Sequence, residues 1–111
     1  MDISEETRNG ILVLKPAGRV DSGTAGAFEA RLVQAVSNGA ASVVVDMAQL
    51  AYISSAGLRA LLVAAKRARP AGSRIVLAAM SPAIREVFDM SGFTSLFEIH
   101  ANADDAVSAL G

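Results

Sequence analysis

Val43-Val44-Val45 constrains this chain more than any other feature. Three consecutive β-branched apolar residues leave no polar face, so a strand built from them must be covered on both sides, as in a parallel sheet. A second wholly apolar run, within Arg74–Ala79, has the same character. Between and around these runs lie segments with apolar residues at helical spacing. Strands covered on both faces and alternating with amphipathic helices define the α/β class.

The remaining elements follow from local chemistry. Asn9-Gly10 lies between 3–8 and the apolar run Ile11-Leu12-Val13-Leu14. Asn-Gly is a strong hairpin signal because both turn positions take positive φ, so strands are expected over 2–8 and 11–17, ended by Pro16, Ala17 and Gly18. Asp21-Ser22-Gly23-Thr24 is a group of capping residues. Behind it Phe28, Leu32, Ala35 and Val36 form an apolar stripe, with Glu29, Arg31 and Gln34 opposite and Asn38-Gly39 as the stop.

After the valine run, 48–53 reads as a connection. Ser54-Ser55 then opens a second helix with Leu58, Leu61, Leu62 and Ala65 facing inward. Lys66, Arg67 and Arg69 lie in its last turn, where cations suit the dipole, and Pro70 stops it. Ser81-Pro82 is an N-cap followed by proline at the first helical position. Ile84, Val87 and Phe88 face inward from that third helix, which Gly92 ends. A short strand is expected over 96–99. Asn102 caps a last helix with Asp104 and Asp105 in its first turn and Val107 and Leu110 inward. The order β-β-α-β-α-β-α-β-α predicts one domain over 1–111: a mixed sheet of four or five strands, antiparallel at the N-terminal hairpin and otherwise parallel, with about four helices.

Composition narrows the function. A formal net charge of −1 offers no electrostatic footprint for nucleic acid. The absence of cysteine excludes disulfides and thiolate metal sites. No apolar stretch approaches the roughly 20 residues that span a bilayer, and the acidic start Met1-Asp2-Ile3-Ser4-Glu5-Glu6 is unlike a signal peptide. A cytoplasmic protein without a membrane or cofactor is therefore expected. Enzymatic signals are also missing. His100 is the sole histidine and reads as a partly exposed strand-end residue. Ser54 and Ser55 stand in no Gly-x-Ser-x-Gly elbow. There is no Gly-Lys-Ser/Thr phosphate loop. Gly23 and Gly26 read as helix-start glycines, and Lys66, Arg67, Arg69 and Arg74 as a solvated helix end. Core packing accounts for Met80 and Met90.

What remains is Tyr52-Ile53-Ser54-Ser55-Ala56-Gly57-Leu58. It admits two readings: a capping serine with a spare hydroxyl beside it, or a regulatory site. In the second, Ser54 is the N-cap and Ser55 is an exposed hydroxyl at the first helical position. A phosphoryl group there would face free backbone N–H groups and the positive end of the helix dipole. Ala56 and Gly57 would keep the surface flat for an approaching protein.

The segment from Asp46 to Leu58, Asp46-Met47-Ala48-Gln49-Leu50-Ala51-Tyr52-Ile53-Ser54-Ser55-Ala56-Gly57-Leu58, resembles the signature of the STAS domain, named for sulphate transporters and anti-sigma factor antagonists. Gly18-Arg19-Val20-Asp21 with Thr24-Ala25 is similar to the family's first loop. Ser81-Pro82-Ala83-Ile84 and Phe88-Asp89-Met90-Ser91-Gly92-Phe93 are similar to its third helix. The resemblance covers nearly the whole chain in matching order and implies the bacterial antagonist branch. There, the unphosphorylated protein binds an anti-sigma factor that is also a GHKL-type serine kinase, and so frees a sigma factor. The kinase then phosphorylates the antagonist and dismisses it, and a PP2C-type phosphatase reverses this. The family's acceptor is the first serine of Asp-Ser-Ser/Thr-Gly, which falls on Ser55 when aligned on Gly57. Ser54 stands where the family often has Asp, and Ala56 where it often has Ser or Thr. The extra hydroxyl makes Ser54 the alternative acceptor. The resemblance implies a partner surface of Asp21, Ser22, Ser54, Ser55, Ala56, Gly57 and Arg59. A stand-alone module that binds a nucleotide or a lipid-transport ATPase is the alternative function.

Overall fold

The computed structural model describes residues 1–110. Asn9 and Gly10 both take positive φ, 53° and 79°, and turn β1 (Asp2–Arg8) back along β2 (Ile11–Val20) as an antiparallel pair. Then follow α1 (Ala25–Ser37), β3 (Val43–Asp46), β4 (Leu50–Ile53), α2 (Ser55–Ala68), β5 (Ile75–Ala78), α3 (Pro82–Met90), a 3-10 turn (Thr94–Leu96), β6 (Glu98–His100) and α4 (Ala103–Leu110). The sheet runs β1-β2-β3-β5-β6, with β4 also on β2, and every pairing but the hairpin is parallel.

The valine run is covered on both faces, as its composition demands. Val43 and Val45 join Leu14, Ile75 and Leu77 beneath α1, α2 and α3. Val44 joins Val13 and Val76 beneath Ala106 and Val107 of α4. Val43, Val44 and Val45 pair in parallel with Ile75, Val76 and Leu77. Phe28, Leu32, Leu58 and Phe88 all pack into the larger core.

Five local expectations need correction. Met90 does not pack in the core, because at the last position of α3 it is 81% exposed. The segment 48–53 is not all connection, because Leu50–Ile53 forms β4 beside the far end of β2, with Val20 opposite Ile53. The sheet thus has six strands. β2 does not stop at 17. Pro16 falls where β2 has left β3, after Leu14, and has not yet met β4, at Gly18. On that edge its missing N–H breaks no ladder bond, and the strand continues through an irregularity between Gly18 and Arg19. The last strand is Glu98–His100 rather than 96–99. Phe93 and Phe97 both set their rings edge-on to Phe88, at 6.5 and 6.4 Å, which holds 94–96 in a tight turn before the strand begins. In α2, Leu61 rather than Leu62 is the fully buried leucine, and Leu62 is only half-buried.

Candidate functional site: the N-terminus of α2

Parallel pairing of β2 with β4 brings two chain segments to one end of the sheet. Val20 and Ile53 are opposite each other, so the chain leaves both strands side by side, into the 21–24 loop and into α2. The carboxyl ends of parallel strands are where α/β folds place binding surfaces. Ser54 ties the junction together. Its N–H donates to the Val20 carbonyl at 2.8 Å. Its Oγ accepts from the Gly57 N–H at 3.3 Å, which satisfies one of the free donors of the first turn.

Gly57 then lets the helix sit close to the sheet. It is buried, and a Cβ added there would lie 2.6 Å from Ile53 Cγ1 and 2.7 Å from Val20 Cγ1. The expectation that Gly57 forms part of a flat exposed surface is therefore corrected. Its bare Cα faces the core, and its contribution is close packing. Ser55, one residue after the cap, is exposed, Ala56 is half-buried and Arg59 is exposed. These three line a cleft of about 350 Å³ with Ala25, Gly26 and Glu29 of α1.

The 21–24 loop is held by its own polar groups. Asp21 Oδ1 accepts from the N–H groups of Gly23 and Thr24, at 2.9 and 3.2 Å. Thr24 Oγ1 accepts from the Asp21 N–H at 2.9 Å and donates to the Arg19 carbonyl at 2.8 Å. Asp21 is half-buried and engaged in shaping the turn, whereas Ser22 is exposed. The capping group ahead of α1 thus works through Asp21 and Thr24 as a turn, and no side chain caps the helix from Thr24 itself.

Two residues at this end were not singled out from the sequence. The Arg19 guanidinium carbon lies 4.2 Å from the centroid of the Tyr52 ring, and the two residues are cross-strand partners. Both are exposed. Reading 48–53 as a connection hid the pairing that stacks them. Stacked Arg and Tyr are favoured at protein interfaces.

Elsewhere the chemistry is sparse. His100 is half-buried at the end of β6, its Nε2 2.6 Å from the Glu98 carboxylate. A larger hollow of about 610 Å³ lies between the hairpin and α1. It is open, crossed by the Arg31–Glu5 ion pair, and lined by no nucleophile paired with a base. The exposed Ser55 hydroxyl makes the smaller cleft the stronger candidate. Among the described residues, no three His, Cys, Asp or Glu side chains gather as a metal ion would require. No helix among them is long and apolar enough to cross a membrane.

A mixed sheet with three helices on one face, one on the other, and a capped serine pair opening the second helix define a small α/β domain of the STAS type. The STAS domain family profile matches residues 2–106, and the chain belongs to that family. It is 40% identical over 109 residues to BtrV of Bordetella bronchiseptica, which is named as a candidate anti-sigma factor antagonist; the alignment covers 98% of this chain and 93% of BtrV. Solved structures share the fold. An anti-sigma factor antagonist from Mycobacterium paratuberculosis superposes with a TM-score of 0.88 at 24% identity, covering 97% of this chain and 92% of that one. The antagonist SpoIIAA in its unphosphorylated form gives 0.81 at 21% identity, covering 98% and 96%. Bacillus SpoIIAA in its phosphorylated form gives 0.74 at 20%, covering 99% and 100%.

Proposed function

We propose that this chain is an anti-sigma factor antagonist, not an enzyme, acting in the cytoplasm as one domain over 1–111. Its unphosphorylated form binds an anti-sigma factor that is a GHKL-type serine kinase, and phosphorylation of Ser55 ends that binding. The observation that carries this reading is the division of labour at the α2 start: the Ser54 hydroxyl is occupied by the Gly57 N–H, while the Ser55 hydroxyl is exposed on the cleft. Similarity to BtrV along almost the whole chain supports the class of partner. The contact surface includes Ser22, Ser54, Ser55, Ala56 and Arg59, to which exposed Arg19 and Tyr52 are added. Asp21 and Gly57 act from behind it, by shaping the turn and seating the helix.

In the switching step the Ser55 Oγ attacks the γ-phosphorus of ATP on the kinase. The bond to the β-phosphate oxygen breaks, ADP leaves, and the hydroxyl proton passes to the kinase or to solvent. A PP2C-type phosphatase returns the serine by hydrolysis. The phosphate lies beside the positive end of α2, worth about 0.3–2 kcal/mol in its favour, so the free domain tolerates it. Burying the same charge without a partner in an interface costs several kcal/mol, and each ~1.4 kcal/mol is tenfold in affinity. The interface loses by orders of magnitude while the fold stands.

The test is to incubate the protein with ATP and the anti-sigma factor kinase of its source cell, then map the modified residue by mass spectrometry and measure complex formation. Ser55→Ala is expected to bind constitutively and resist modification, and Ser55→Asp to bind poorly. Ser54→Ala should still accept phosphate after losing about 0.5–2 kcal/mol of stability with its cap. Phosphate on Ser54 alone overturns the assignment. Phosphate on neither serine favours a stand-alone ligand-binding module.

A further inference from the structure

The α1–α2 cleft contains two opposite charges that do not meet. Arg59 of α2 and Glu29 of α1 both line it, yet among the described residues neither enters an ion pair. The other polar occupant is Ser55. Ser55 and Arg59 are four residues apart on one helix, a spacing that places their side chains on the same face with Cβ atoms about 5–6 Å apart. Ala25, Gly26 and Ala56 supply the rest of the lining and carry nothing larger than a methyl group. At about 350 Å³ the cleft has ample room for the four heavy atoms a phosphoryl group adds.

We infer, on the reading that Ser55 is the phosphoacceptor, that Arg59 is the residue that holds the phosphate, drawing it into the α1–α2 cleft opposite Glu29. The guanidinium fork donates paired N–H groups in the geometry a phosphate accepts. An anion followed by a cation four residues later is also the favourable order along a helix. Arg59 is uncommitted before modification, so capture breaks no existing ion pair. Glu29 opposes it, because a dianion entering the cleft meets a like charge on α1. The modified state is then more than a charge on the surface. Phosphate occupies part of the cleft and withdraws Arg59 from the partner, so the site blocks itself without any change of fold.

The second ionisation of phosphoserine lies near pH 6, which makes the phosphate a reporter of its own surroundings. The experiment uses the full chain with phosphoserine inserted at position 55 during translation, followed by phosphorus NMR across the neutral range. No kinase takes part, so a kinase that ignores Ser55 would sink the functional reading and leave this measurement standing. Arg59→Gln is expected to raise the phosphate pKa by roughly 0.3–0.7 unit. Arg59→Lys should keep part of the depression, as a point charge without the fork. Glu29→Gln should move the pKa the other way, downward. Circular-dichroism melts of the same variants check that each remains folded; Arg59 is exposed and Glu29 half-buried, away from the core. If Arg59→Gln and Arg59→Lys both leave the phosphate pKa unmoved, the phosphate stands free in solvent and the inference is wrong. A downward shift with Arg59→Gln overturns it equally.

Discussion

A methyl group has no space at position 57 and ample space at position 26. An ideal Cβ on Gly57 lies 2.6 and 2.7 Å from buried side-chain carbons of Ile53 and Val20, whereas one on Gly26 meets nothing within 4 Å. Both glycines are helical and neither has positive φ. Intrinsic helix propensity favours alanine at both by about 0.5–1 kcal/mol. Gly26→Ala should therefore stabilise the protein by about that amount. Gly57→Ala should destabilise it by about 1–3 kcal/mol, because overpacking against the sheet outweighs propensity. Urea denaturation midpoints of the two variants are expected to move in opposite directions. Gly57 is thus spent on seating α2, and the exposed chemistry of the site rests on Ser55 and Arg59.

At the scale of the element, a single step along α2 separates core from surface. Leu61 is fully buried and Leu62 is half-buried beside Leu96 and Phe97. Leu61→Ala should cost about 2–5 kcal/mol, as other large-to-small core changes do. Leu62→Ala should cost about half as much or less, since it removes less buried area; equal losses in chemical denaturation would contradict this packing. At the end of α3 a surface cluster supplies a pH test. The Thr94 hydroxyl donates to the Asp89 carboxylate, and Arg85 Nε donates to it at 3.3 Å. The Thr94 bond, with Arg85 second among the favourable effects, holds the Asp89 carboxyl below the usual carboxylate value. A folded pKa below the unfolded one contributes stability above the unfolded value and loses it as pH falls through the folded value. Thr94→Val should raise the Asp89 midpoint in an NMR titration. Its stability deficit should be present at neutral pH and shrink once the carboxylate protonates in acid.

Across the whole molecule, depth in the sheet sets the order of opening. β3 and β5 are central, paired on both sides and covered by helices on both faces. β1 is an edge strand with mostly exposed residues, and β6 is the short opposite edge. Amide hydrogen exchange should find Val44, Val45, Val76 and Leu77 protected up to global unfolding. Amides of β1 and β6 should exchange through smaller openings; a hairpin as protected as β3 would contradict the ordering. The same layout explains how the proposed switch site coexists with a stable core. β2 and β4 end together at Val20 and Ile53, and the 21–24 loop and the α2 start leave the sheet side by side there.

Features set by short-range chemistry were legible in the sequence. Asn9-Gly10 dictated the hairpin, the valine run dictated a strand covered on both faces, and Ser54, Ser81 with Pro82, and Asn102 marked helix starts that their side chains do cap. Ser55 as the uncommitted hydroxyl follows from that local logic. The remaining features were not legible there, because each depends on a partner distant in the chain. Leu50–Ile53 is a strand because β2 lies beside it, and β2 runs past Pro16 because two different strands cover its two halves. The phase that buries Leu61 and lifts Leu62 turns on one helical step of about 100°, which sequence periodicity leaves loose and packing fixes. Gly57 faces inward because Val20 and Ile53 meet beneath it. Arg59 shares a cleft with Glu29 only because α1 packs against α2, a juxtaposition that no local pattern in either helix encodes.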